Sequence, residues 1–182
     1  FALGKRRVTI STAGYAPGIR RLADEDLPVR LALSLHATDN ITRSRLMPIN
    51  RKYPIEEVLD ACSLLVRNRR TPLTLEYMLI RGENDSLREA GKLTKISLSL
   101  GAKVNLIEYN PVFPGRFSAP PRERTLQFQT ALRKAGVMAF IRRSRGLDVE
   151  GACGQLRASG PKRAEFRVSS SESRVGRRRK SS

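Results

Sequence analysis

Val29-Arg30-Leu31-Ala32-Leu33-Ser34-Leu35 is a short, almost continuously apolar run, and after a loop Ile55, Val58, Leu59, Cys62, Leu65 and Val66 recur at helical spacing behind Pro54. A run of that length reads as a strand, and the stripe that follows reads as an amphipathic helix. The alternation continues on both sides of this pair: residues 73–79 predict the next strand, residues 86–98 a helix and residues 103–109 a fourth strand. Residues 122–135 predict a helix closed by Gly136, and residues 137–142 a fifth strand. Upstream, residues 8–11 read as a strand and residues 16–25 as a helix with Pro17 in its first turn. Strands separated by helices of this size pair in parallel through right-handed crossovers, so the fold class is α/β, its sheet either open or curled into a barrel.

Composition narrows the class. The 182 residues carry 35 Lys and Arg against 17 Asp and Glu, a formal charge of +18 with a sequence pI near 11.2. That excess suits a protein that works against phosphate backbones, and an acidic membrane surface would attract it too. The apolar runs fall far short of the roughly 18 residues a membrane span needs, so the expectation is a cytoplasmic protein without a membrane partner. Two cysteines, Cys62 and Cys153, are too few for a disulfide scaffold and too few for an iron-sulfur cluster, which takes roughly four thiolates or three plus an outside ligand. Cys62 lies on the apolar stripe and reads as an inert core residue.

Parallel α/β sheets place their chemistry at the carboxyl ends of the strands. There stand Ser11-Thr12-Ala13-Gly14, Ser34-Leu35-His36, Asn110-Pro111 and Arg142-Arg143-Ser144-Arg145-Gly146. Each cluster is ordinary loop composition, and their common address is the stronger signal. His36, the only histidine, reads equally as a hydrogen-bonding residue or a general base, and nothing falls at metal-ligand spacing around it. Asp148, Glu150 and Glu76 read as solvated or salt-bridged acids rather than a hydrolytic pair. Ser11 and Ser34 lack the surround of a nucleophile elbow. Cys153, in Gly151-Ala152-Cys153-Gly154, is fenced by small residues that permit close approach. It reads either as a core hydrophobe or as a reactive thiol favoured by Arg142, Arg143 and Arg145.

Ser11-Thr12-Ala13-Gly14, Ser34-Leu35-His36-Ala37, Pro48-Ile49-Asn50, Val104-Asn105-Leu106-Ile107 through Asn110-Pro111, Pro114-Gly115 and Ala152-Cys153-Gly154-Gln155-Leu156 follow one another in an order and spacing with a known precedent. Over about residues 5–158 the chain resembles the RlmN/Cfr family of radical S-adenosylmethionine RNA methyltransferases. The resemblance implies the later part of a partial (β/α)6 barrel with parallel strands over residues 1–159, including the catalytic-cysteine loop, followed by a disordered basic tail over residues 160–182. It implies methylation of carbon 2 of an adenine in 23S rRNA and in tRNA, the carbon-8 type being the alternative. The cofactors implied are S-adenosylmethionine and a 4Fe-4S cluster. Cys153 then carries the methyl group as S-methylcysteine, a radical activates it, and a second cysteine releases the product by forming a disulfide. Ser11, Ser34, Leu35, His36 and Asn110 would line the S-adenosylmethionine pocket, and Arg142, Arg143 and Arg145 would meet RNA phosphates.

The departures are equally specific. The family's Cys-x-x-x-Cys-x-x-Cys motif, the glycine-glutamate motif ahead of Ser11 and the resolving cysteine have no counterpart here, and Cys62 is not that cysteine. The chain therefore resembles the C-terminal portion of the enzyme, expected to be inactive alone, to partner the missing N-terminal half, and to act as a monomer when complete. Alone, a half barrel with open edges and an unshielded apolar face is expected to be poorly soluble or oligomeric. A binding module or pseudoenzyme that holds RNA without catalysis is the rival class. Eight Lys and Arg from Lys162 to Lys180 mark the tail as solvated, with RNA affinity by counterion release as the second reading.

Overall fold

The computed structural model describes residues 8–110 and 117–142. One sheet is built from β1 (Thr9–Thr12), β2 (Arg30–Ser34), β3 (Leu73–Leu79), β4 (Lys103–Glu108) and β5 (Ala139–Arg142), joined through α1 (Ala16–Asp24), α2 (Asn40–Leu46), α3 (Ile55–Arg69), α4 (Leu87–Ser99) and α5 (Arg122–Lys134). A 3-10 turn, Pro48–Arg51, links α2 to α3. The strands lie in sequence order and every neighbouring pair is parallel. Sequential order with right-handed crossovers sends every connecting helix to the same face, as in the wall of a (β/α) barrel. Consistently, α1 packs on α3 and α4 on α5.

Parity along the strands decides what each face carries. Leu33, Leu35, Leu75, Tyr77 and Leu106 belong to one buried cluster with Val58, Cys62 and Leu65 of α3, Leu93 of α4 and Phe128 and Leu132 of α5. Each large apolar side chain buried so completely contributes about 1.5–3 kcal/mol relative to exposure, and Tyr77 stacks on Phe128 at 5.7 Å between ring centres. Cys62 sits in this layer fully buried, and burial pushes its thiol up to about 12, so it is inert as its stripe predicts.

The helix ends follow their sequences. Asp39 caps α2 by accepting from Thr42 N at 2.8 Å, and Ser86 caps α4 by accepting from Glu89 N at 3.2 Å. α5 closes with Gly136 at φ 87°, Gly136 N donating to Arg133 O at 3.0 Å and Val137 N to Leu132 O at 3.0 Å. This closure keeps Val137 in the turn, which is why β5 begins at Ala139 and not at residue 137. β1 and β5 are the outer strands, and Ile10, Met138 and Phe140 are exposed there. No helix among the described residues is long and apolar enough to cross a membrane.

Candidate functional site

Because all five strands run the same way, their carboxyl ends share one edge. Ser34 ends β2, Arg142 ends β5, Ser11 lies one residue from the end of β1, and Asn110 follows two residues past β4. Beneath this edge sits a side chain that composition does not single out. Arg43 of α2 is fully buried and donates from Nε to Leu35 O at 3.1 Å, from Nη1 to Asn50 Oδ1 at 2.8 Å, and from Nη2 to Ala13 O at 2.8 Å and Ser34 O at 3.4 Å. One planar guanidinium thereby clamps the backbone after β1 to the backbone at the end of β2. Asn50 is held in turn, its Nδ2 donating to Asn40 Oδ1 at 2.9 Å and Ser44 Oγ at 2.8 Å. Gly14, at φ 104°, leaves room for the clamp: a Cβ there would stand 2.8 Å from Arg43 Nη2.

The next turn of chain is fixed just as firmly. His36 takes a left-handed conformation, φ 57°, which lets its Nδ1 accept from Met78 N at 3.0 Å while its own carbonyl accepts from Asn84 Nδ2 at 2.8 Å. An accepting Nδ1 requires the neutral imidazole with its proton on Nε2. Burial, reinforced by the charge of Arg43, pulls the His36 pKa down to about 4. Between about pH 6.5 and 4 the unfolded chain therefore binds a proton that the folded chain refuses, so this contribution to stability is full above 6.5 and is lost as pH falls towards 4. At about 1.36 kcal/mol per unit the ceiling is about 3 kcal/mol. We expect urea midpoints to fall over that window and His36→Asn, which tolerates the left-handed backbone and offers Oδ1 as acceptor, to flatten the profile. An unchanged slope in His36→Asn would exclude His36 as its source.

Opposite the helices, register builds a polar row. Ser34 pairs with Glu76 and Glu76 with Asn105, so the three stand side by side on the helix-free face. Asn105 Nδ2 donates to Glu76 Oε1 at 3.0 Å, while Glu76 Oε2 is shielded and has no partner among the described residues. This corrects the reading of Glu76 as a solvated or salt-bridged acid: it is half-buried and held by an amide, because Thr74, Glu76 and Met78 occupy the strand face that Leu73, Leu75, Tyr77 and Leu79 do not.

Of the residues singled out from sequence, Ser11 is exposed beside Ala32, Ser34 lies beside Glu76, and Asn110 is half-buried past β4. Leu35 differs. Its side chain is wholly inside the helix-side core, and its backbone is engaged by Arg43 and by Glu76 O, which accepts from Leu35 N at 3.0 Å. Arg142 is exposed at the end of β5. Cys153, Arg143, Arg145, Asp148, Glu150, Pro114-Gly115 and the tail from residue 160 lie outside the described residues. Arg43, Asn84 and Asn105 received no role in the sequence reading. Only Asn50 and Asn105 carried a signal, as members of the quoted motifs.

The donor set fits one implied group and not the other. A carboxylate oxygen without a partner, Ser34 and the Asn105 amide form a polar surface suited to an amino- and hydroxyl-bearing small molecule such as S-adenosylmethionine. No group of three or more His, Cys, Asp or Glu able to hold a metal ion occurs among the described residues, and Cys62 is buried, so a 4Fe-4S cluster does not fit them.

Residues 2–93 match the family model described as the radical SAM superfamily. The chain is 48% identical over 161 residues to a protein of Sorangium cellulosum named dual-specificity RNA methyltransferase RlmN, covering 88% of this chain and 41% of that one. It is 45% identical over 156 residues to the like-named protein of Syntrophobacter fumaroxidans, covering 86% and 45%. Among solved structures, a radical SAM methyltransferase from Sphaerobacter thermophilus superposes with a TM-score of 0.80 at 45% identity, covering 84% of this chain and 45% of that chain. The chain thus spans less than half the length of these relatives.

Proposed function

The chain belongs to the radical SAM superfamily, and from that premise we propose that it forms the later part of an RNA methyltransferase acting on carbon 2 of an adenine in 23S rRNA and in tRNA. The observation that carries this reading is the identity to proteins named RlmN across more than four-fifths of the chain, continuing beyond the superfamily match into the Ala152-Cys153-Gly154-Gln155-Leu156 segment. Bound on the polar face, S-adenosylmethionine supplies a methyl group and, when reduced, radical chemistry.

The parts given to the described residues draw on what they touch, and those of Cys153, Arg143 and Arg145 on the resemblance alone. Ser11, Ser34 and Asn110 offer hydroxyl and amide groups along the carboxyl edge, and the Arg43 clamp holds the backbone that presents Ser34 and His36. His36, held neutral, offers a hydrogen-bond donor at Nε2 without adding a charge. Cys153 accepts the methyl as S-methylcysteine and delivers it to the base. A carrier is needed because an amidine-like ring carbon is no nucleophile towards a sulfonium. Arg142, with Arg143 and Arg145, meets RNA phosphates. The cluster's three thiolates and the resolving thiol are supplied by residues other than Cys62 and Cys153, which places them outside these 182 residues, so this chain alone is expected to be inactive. The complete protein is expected to act as a cytoplasmic monomer.

The test uses a protein that carries the three-cysteine motif upstream of these residues. After anaerobic cluster reconstitution and exposure to S-adenosylmethionine, the peptide holding Cys153 is expected to be heavier by one methyl group, and Cys153→Ala to abolish both that mass change and RNA methylation. An unmodified Cys153 thiol under turnover would refute the assignment.

A further inference from the structure

We propose that Glu76 is a ligand-reading carboxylate: Asn105 fixes one oxygen, and the other accepts an N–H or O–H donor from the small molecule bound on the helix-free face. The inference rests on the cofactor reading above and adds to it a residue outside the Ser11, Ser34, Leu35, His36 and Asn110 set. Four observations support it. Glu76 lies on β3, the central strand, beside Ser34, and its backbone oxygen accepts from both Leu35 N at 3.0 Å and His36 N at 3.4 Å, so it is tied to the segment that carries three of those residues. Its Oε2 has no hydrogen-bond partner among the described residues, whereas buried polar atoms in folded proteins almost always have one. No Lys or Arg forms an ion pair with it among the described residues, despite the chain's excess of 35 basic over 17 acidic groups. It is also the single acid on the helix-free face of the described strands, since Glu108 pairs with Leu79 and has the opposite parity.

An unpartnered carboxylate oxygen costs stability in the empty protein and is repaid when a donor arrives, the pattern of a binding group rather than a structural one. The residue is only half-buried, so the carboxylate borders the open face, and the terminal torsion of a glutamate is broad and roughly two-fold, so a small turn presents either oxygen. S-adenosylmethionine offers three donors of the required kind, the ammonium of its amino-acid end, the ribose hydroxyls and the adenine amino group. A cationic ligand adds charge attraction to the hydrogen bond.

The experiment compares, in a protein that carries the three-cysteine motif upstream of these residues, the unmodified sequence with Glu76→Gln, which keeps shape and removes the charge, by calorimetric titration with S-adenosylhomocysteine, 5′-methylthioadenosine and adenosine monophosphate. The expected result is a loss of about tenfold or more in affinity for S-adenosylhomocysteine together with an unchanged or raised thermal midpoint, a combination a merely structural role does not produce. Asn105→Leu is expected to weaken binding less, because the carboxylate remains. A loss with S-adenosylhomocysteine alone assigns the donor to the ammonium, and an equal loss with 5′-methylthioadenosine assigns it to the nucleoside. A loss confined to adenosine monophosphate points to a target nucleotide and overturns the cofactor assignment. Undiminished binding in Glu76→Gln overturns the inference alone, whereas failure of the unmodified protein with its upstream residues to bind any of the three overturns the cofactor reading with it.

Discussion

Arg43→Met is expected to lower the unfolding free energy by about 3–5 kcal/mol, a large share of the roughly 5–15 kcal/mol a domain possesses. The substitution keeps an unbranched apolar stem but ends two bonds short of the guanidinium nitrogens, so the loss is chiefly one of donors. The carbonyls of Ala13, Ser34 and Leu35 and the Asn50 amide oxygen each lose a hydrogen bond inside the protein. An acceptor stranded in that way costs about 1–3 kcal/mol. Against this stands relief from burying a cation, since Arg43 has no carboxylate partner among the described residues and burial lowers its pKa. Leu35 O still accepts from Ala37 N at 2.8 Å, but the other three oxygens outnumber the single charge by three to one, so the net sign is a loss. Arg43→Lys separates the two effects: it keeps the charge but offers a compact ammonium in place of a planar fork that reaches in several directions at once, and it is expected to recover only a minor part of the loss. Urea unfolding of the three proteins gives the ordering. If Arg43→Met fell within about 1 kcal/mol of the parent, the clamp would be ornamental.

The clamp also shows where sequence reasoning stops. Strands and long helices were legible because burial writes itself as period: Leu73–Leu79 alternates, and Ile55 to Val66 repeats at helical spacing, so these elements came out at or near their observed bounds. α2 left no such trace. Asn-Ile-Thr-Arg-Ser-Arg-Leu has no apolar stripe, Ile41 points to solvent, and the helix is held instead by the Asp39 cap and by Arg43 running inward. Nothing in composition distinguishes Arg43, the one wholly buried among the described basic residues. For the site, the rule that parallel strands concentrate function at their carboxyl ends brought Ser11, Ser34, Asn110 and Arg142 to one edge. It did not reveal that Leu35 faces the core, because a residue just past a strand end follows the turn of the backbone and not the alternation. Glu76 was legible in principle. The alternation that buries Leu75 and Tyr77 sends Glu76 to the other face, and only a prior expectation that acids in a basic chain are solvated hid it.

Asn84 provides the second large expected effect, and its sign with pH can be worked out in advance. It is buried, accepts from Ile80 N through Oδ1 at 2.7 Å, and donates through Nδ2 to Met78 O at 2.7 Å and His36 O at 2.8 Å. Asn84→Ala strands one donor and two acceptors and is expected to cost about 3–5 kcal/mol, loosening the His36 turn with it. Asn84→Asp is the sharper probe. Its first oxygen still accepts from Ile80 N, but a carboxylate would aim its second oxygen at two carbonyls, so the folded protein favours the protonated acid, which donates to one of them. The folded pKa of that aspartate therefore lies above its unfolded value of about 3.9. Above about pH 3.9 the unfolded chain then holds fewer protons than the folded one, and the variant loses stability as pH rises. His36 imposes the opposite slope on the parent between about pH 4 and 6.5, where stability rises with pH. Subtracting the parent's urea midpoints from those of Asn84→Asp at each pH should thus leave a deficit that is smallest near pH 4 and grows towards neutrality. A deficit independent of pH would mean that the aspartate ionises freely and that Nδ2 is not bonded to the His36 and Met78 carbonyls as the geometry requires.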